Sequence, residues 1–160
     1  MHFSVVFLLL SVVLAVYEIQ VRKKPVWSSA LRSLLFSTVG LQGLYAFVGH
    51  VWRADATAAN IGWPAGNPFQ REVAFANLGL AVLGLTSFFV NSPGFWVATS
   101  ISAGVFYLGA ATTHLQEQMI KRNYAPSNAG PIVYVTLIEV LLYAVLSILA
   151  VRQPNYQLQG

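Results

Sequence analysis

Six polar residues in or beside long apolar runs carry the chemistry this chain can offer: His50, Gln70, Glu72, Asn77, His114 and Glu139. Hydrocarbon penalises such groups, so they face a bundle interior or a wet cavity, and each is a candidate functional residue. Two imidazoles and a carboxylate form a nitrogen and oxygen donor set suited to zinc, iron or manganese. This makes His50, Glu72 and His114 the candidate metal ligands. A bis-histidine haem is another use of His50 and His114, provided their helices face one another across a cleft. Glu139 or Glu72 acting with His50 is an acid/base set for moving protons on a lipid, quinone or isoprenoid. The same six residues also read as a polar binding pocket. The plain alternative is a hydrogen-bonded network in which the histidines bond loop carbonyls, Glu72 pairs with Arg53 or Arg71, and Asn77 links helices.

No compact motif supports one chemistry over the others. Neither His-Glu-x-x-His nor Glu-x-x-His occurs, so any metal ligands come from separate helices. A Gly-x-Ser-x-Gly nucleophile elbow and a glycine-rich phosphate loop are both missing. The chain lacks cysteine, which excludes thiolate metal sites and thiol redox chemistry.

The elements that must position these residues are apolar helices. Of 160 residues 56% are hydrophobic and only 9% charged, whereas a soluble domain carries about 25% charged residues. Fourteen charged side chains, nine basic and five acidic, cannot cover a globule in water, so the chain reads as a membrane protein. The runs 3–19, 31–52, 68–90, 93–120 and 131–151 predict an all-α, polytopic membrane bundle of five transmembrane helices in a single domain. Three starts are marked by proline after a plausible N-cap: Asn67-Pro68, Ser92-Pro93 and Gly130-Pro131. Gln70 stands where a capping box with Asn67 would place it.

Phe36, Gly40, Gly43, Phe47 and His50 form one seam of the second helix. Ser100, Gly104, Tyr107, Ala111, His114 and Gln118 form one of the fourth. Both seams end in histidine, and alternating topology makes the two helices parallel, so His50 and His114 fall at similar depth. Asn77 lies about 7–8 Å deeper than Glu72, and Glu139 about 12 Å inside the start of the last helix. Small residues on these seams, such as Gly79 with Gly84 or Ser100 with Gly104, suit close helix packing.

Net charge is +4, but Arg22, Lys23, Lys24 and Arg32 stand between two hydrophobic runs, where topology determinants belong. No basic stripe interleaved with aromatics occurs, which argues against nucleic acid as a partner. The basic cluster follows the first apolar run, as in a reverse signal-anchor rather than a cleaved leader. The expectation is therefore an N-terminus outside and a C-terminus in the cytoplasm, with residues 53–70 and 121–130 as outer loops. A short helical turn over Ala56–Asn60 is expected in the first of these. Both loops are rich in turn formers and aromatics, so they either cap the bundle or rest at the level of the lipid headgroups.

The block Gly62-Trp63-Pro64-Ala65-Gly66-Asn67-Pro68-Phe69-Gln70-Arg71-Glu72-Val73-Ala74-Phe75-Ala76-Asn77-Leu78 resembles a motif of a bacterial family of small integral membrane proteins of unknown function. Gly49-His50, Gly109-Ala110-Ala111 with His114, and Asn123 to Pro131 follow the same order. The resemblance implies a multi-helix inner-membrane protein and no particular activity. The polar positions it carries over are His50, Gln70, Glu72, Asn77, His114 and Asn128; Glu139 has no counterpart in it. Together these readings predict a small integral membrane binding or accessory protein with a polar pocket at the outer face. Its expected partners are the lipid bilayer, a second copy or a larger membrane complex, and a lipid or quinone-like ligand. The alternative is a membrane-embedded enzyme, or a divalent-metal or haem protein, acting on a lipid-soluble substrate.

Overall fold

The computed structural model describes residues 3–153, all of whose regular structure is helical. The helices are α1 (Phe3–Gln20), α2 (Val26–Trp52), α3 (Ala54–Ile61), α4 (Phe69–Phe89), α5 (Pro93–Lys121) and α6 (Pro131–Val151). All but the short α3 are long and apolar enough to cross a bilayer, so the protein is an all-α membrane bundle with five candidate spans. Their outward faces carry Leu9, Val13, Val105, Leu108, Leu141 and Ile148, the surface expected against lipid tails.

Helix α2 starts five residues before the apolar run that announces it. Trp27, Ser28 and Ser29 read as polar punctuation, yet both serines are buried and the helix begins directly after Pro25. Residues Leu35–Leu41 form a π-helical stretch in the middle of α2. There the Thr38 carbonyl accepts the Tyr107 hydroxyl at 3.0 Å and the Thr38 hydroxyl meets that of Tyr143 at 2.7 Å. One widened turn of α2 is thereby tied to both α5 and α6, a placement common for π-bulges near functional sites.

The glycine seam of α2 lies against α4. A Cβ on Gly84 would sit 2.4 Å from the Gly40 nitrogen and 2.7 Å from the Leu35 carbonyl oxygen. One on Gly43 would sit 3.0 Å from the Asn77 carbonyl oxygen. Backbone approach this close requires residues without side chains, the general device of helix packing in membranes. Gly79 and Gly104 have open space where a Cβ would go, so of the pairs expected to pack only Gly84 makes such a contact. The central core is Leu31, Leu34, Leu35, Val39, Leu80, Trp96, Ala103, Tyr107, Tyr143 and Ala150.

The loop ends keep part of the anticipated capping. Ser92 accepts from the Phe95 N–H at 3.4 Å, with Pro93 at the first helical position. Asn67 accepts the Phe69 N–H at 2.9 Å through its own side chain. Gln70 is not part of a capping box; it is buried and bonds elsewhere. At the opposite end of the bundle Glu18 pairs with Arg22 at 2.9 Å, one helical turn apart.

Candidate functional site

His50 closes the glycine seam of α2 and His114 lies near the end of α5, so antiparallel alternation brings both to one end of the bundle. Both line a single cavity of about 800 Å³, together with Gln42, Asn77, Tyr107 and Trp63. Aromatic side chains of Phe3, Tyr45, Phe69 and Phe106 form much of the remaining wall. A mostly apolar concavity with a few convergent polar groups is the usual form of a small-molecule site.

Each imidazole is held by a side-chain amide. His114 Nδ1 lies 2.7 Å from Asn128 Oδ1, and Asn128 Nδ2 donates to the Asn123 carbonyl at 2.7 Å. That second bond decides the first. A carbonyl can only accept, so the Asn128 amide must turn its oxygen towards His114, and His114 Nδ1 must carry the proton. Nε2 of a neutral His114 is then a free acceptor. His50 Nδ1 is bonded in the same way to Gln70 Oε1, which leaves its Nε2 open too. An imidazole oriented through one nitrogen with the other exposed is the arrangement proteins use to present histidine to a ligand or metal.

The two loops at this end are folded over the bundle and tied together. Ser127 N–H donates to the Asn60 carbonyl at 3.0 Å, and Asn123 Nδ2 to that of Ile61 at 2.9 Å. Gly62 ends α3 with φ 81, in the left-handed region, beside the Asn123 side chain. A side chain there would suffer both the backbone strain and the contact, which is why glycine closes α3. The turn sets Trp63 against His114, with ring centroids 6.3 Å apart and planes 19° from parallel. Asp55 on α3 receives the Gly66 N–H at 3.0 Å, and Thr57 donates to the Gly49 carbonyl at 3.0 Å. Of the two loop readings, capping describes the structure.

The six sequence candidates divide. His50, Asn77 and His114 line the cavity. Gln70 stands behind it and orients His50, as Asn128 orients His114. Glu139 is fully buried one turn beyond the cavity-lining Thr136, with Gln42 against it. Glu72 is exposed and does not line the cavity. Gln70 and Asn77, seven residues apart, share the buried face of α4, and Glu72 lies about 200° round the helix from Gln70. A three-ligand site of His50, Glu72 and His114 is therefore corrected. Among the described residues no group of three His, Cys, Asp or Glu is placed to hold a metal ion.

Gln42 is the lining residue that the sequence reading passed over. Its signal was present, since it is an amide inside an apolar run, eight residues before His50 and so on nearly the same helical face.

The chain matches DUF6790, a family of unknown function, over residues 1–156, and belongs to that family. No curated protein and no solved structure matches it.

Proposed function

For this member of the family we propose the role of a small membrane-embedded binding protein, holding a lipid-soluble ligand in the cavity between α2, α4, α5 and α6. The observation that carries the reading is the pair of imidazoles in one cavity, each oriented through Nδ1 by an amide and each presenting an unengaged Nε2. Structural histidines in a core are normally satisfied at both nitrogens or buried among apolar groups; these two face an aromatic-lined space. Asn77 and Gln42 add polar points along the wall, and the ligand is of the lipid or quinone-like class in size and solubility.

The cavity end faces the outside of a bacterial inner membrane in this reading, because Arg22, Lys23, Lys24, Arg32 and Arg152 gather at the other end. The protein acts as an accessory subunit or self-associates through its lipid-facing surface. The test is mass spectrometry of organic extracts from the purified protein and from a His50→Ala/His114→Ala variant. A small molecule retained by the first and lost from the second supports binding; identical extracts refute it.

A second reading rests on the same imidazoles. Two open Nε2 atoms in one cavity suit axial ligation of a haem or binding of a divalent metal whose other ligands come from substrate or water. Visible absorption and elemental analysis of the purified protein separate this reading from the first. A Soret band or a stoichiometric metal that His114→Ala abolishes would favour it.

A further inference from the structure

The polar groups around the cavity are unevenly divided between donors and acceptors. The donors are engaged with the protein's own backbone. The Tyr107 hydroxyl donates to the Thr38 carbonyl at 3.0 Å and Asn77 Nδ2 to that of Val73 at 2.9 Å. Thr57 and Thr113 donate to the Gly49 and Gly109 carbonyls, each at 3.0 Å. The acceptors are open. Nε2 of His50 and of His114 is unengaged, for the reasons given above. Gln42 Oε1 is buried without a hydrogen bond, and so are both carboxyl oxygens of Glu139.

Glu139 is the sharpest of these. Its side chain is inaccessible to solvent, and neither ion pair among the described residues includes it. A carboxyl in the spanning part of a bundle, with no donor on either oxygen and no cation beside it, is costly whichever way its proton sits. Turning over the Gln42 amide would supply one donor but no counter-charge. On the sequence spacing Ile132, Thr136 and Glu139 follow one face of α6, and the first two line the cavity. Glu139 therefore lies at the cavity floor, behind Gln42. The walls above it present the π-faces of Tyr45, Trp63 and Phe106, which attract cations. Arg53, the one Lys or Arg of the lining, is exposed at the mouth.

We propose that the ligand is a lipophilic amine, whose ammonium group donates to the Gln42, Glu139 and imidazole acceptors and whose apolar body packs against the aromatic walls. This rests on the cavity-binding reading and narrows it to one head-group chemistry. A quinone, which offers only acceptors, leaves every open acceptor of the site unmatched. A carboxylate adds a repulsion to the same deficit. An ammonium supplies both the missing donors and the missing counter-charge.

The experiment is isothermal calorimetry on the full chain in detergent, with naphthylethylamine and its near-isosteres naphthylethanol and naphthylacetate. The amine binds saturably and most tightly. Glu139→Gln weakens the amine roughly tenfold or more and leaves naphthylethanol nearly unchanged, because only a charged donor senses the lost carboxylate. Gln42→Leu gives a second reading of the same floor if Glu139→Gln fails to fold. Competition by phosphatidylethanolamine distinguishes the source of the amine: displacement points to an aminolipid head group and no displacement to a free hydrophobic amine, with the amine assignment standing in both. Tighter binding of naphthylacetate, or an unchanged amine affinity in both floor variants, overturns the amine assignment while the cavity reading survives. No saturable binding by any of the three probes overturns both.

Discussion

Asn128→Ala isolates the device that presents His114. Asn128 is completely buried, and its side chain joins three parts of the cap: it accepts from His114 and donates to the Asn123 carbonyl, each at 2.7 Å. Its backbone carbonyl accepts from Gln118 at 2.8 Å, a bond that alanine keeps. Truncation thus leaves one donor, His114 Nδ1–H, and one acceptor, the Asn123 carbonyl, without partners. Each such group costs about 1–3 kcal/mol when it stays dry. His114 is only half-buried, so water reaches it more easily than it reaches the Asn123 carbonyl, and a net loss of about 2–4 kcal/mol follows. The assay is reversible unfolding in mixed micelles, with Asn67→Ala as the comparison. Asn67 is exposed and makes one side-chain bond, to the Phe69 N–H, so its truncation costs about 0.5–1 kcal/mol. Nitrogen chemical shifts of labelled His114 give an independent readout, since the Nδ1-protonated tautomer should be lost in Asn128→Ala and kept in Asn67→Ala. A change below about 0.5 kcal/mol with an unaltered tautomer would refute the reasoning, because the buried amide would then have no hold on the ring.

Gly84→Ala should destabilise by about 1–3 kcal/mol, because its Cβ meets the α2 backbone, while Gly79→Ala, with open space, should be neutral or gain up to about 1 kcal/mol in helix propensity; the same micelle unfolding assay compares them. Tyr143→Phe removes the hydroxyl that meets Thr38 at 2.7 Å in the core and should cost about 1 kcal/mol, read as a shift in unfolding midpoint. Gln70→Ala should leave the bundle folded but free the His50 ring, seen as a narrowed His50 nitrogen signal and weaker retention of any ligand that His50 holds.

The sequence made some of this legible and hid the rest for identifiable reasons. Apolar run length and the Ser92-Pro93 and Gly130-Pro131 pairs locate α5 and α6 because a membrane span and a proline at the first helical turn are local signals. The start of α2 was obscured because Ser28 and Ser29 lower the hydropathy of residues that are nevertheless buried. Alternating helix direction was enough to bring His50 and His114 to one end, and the seams pointed both inward. The side on which Glu72 falls was not legible from its type. Only the pairing of Gln70 with His50 reveals which face of α4 is buried, and that pairing belongs to tertiary structure. Glu139 showed its depth but not its isolation, since an unpartnered carboxyl is defined by what surrounds it.

The central claim is that the space shared by His50 and His114 holds a small molecule. Native mass spectrometry of the protein released from mild detergent tests it most directly, with wild type compared against Ala110→Trp, in which an indole is built into the cavity wall. The account predicts a discrete small-molecule adduct on the wild type that the folded variant lacks. The same adduct on both proteins, or none on either, would contradict it.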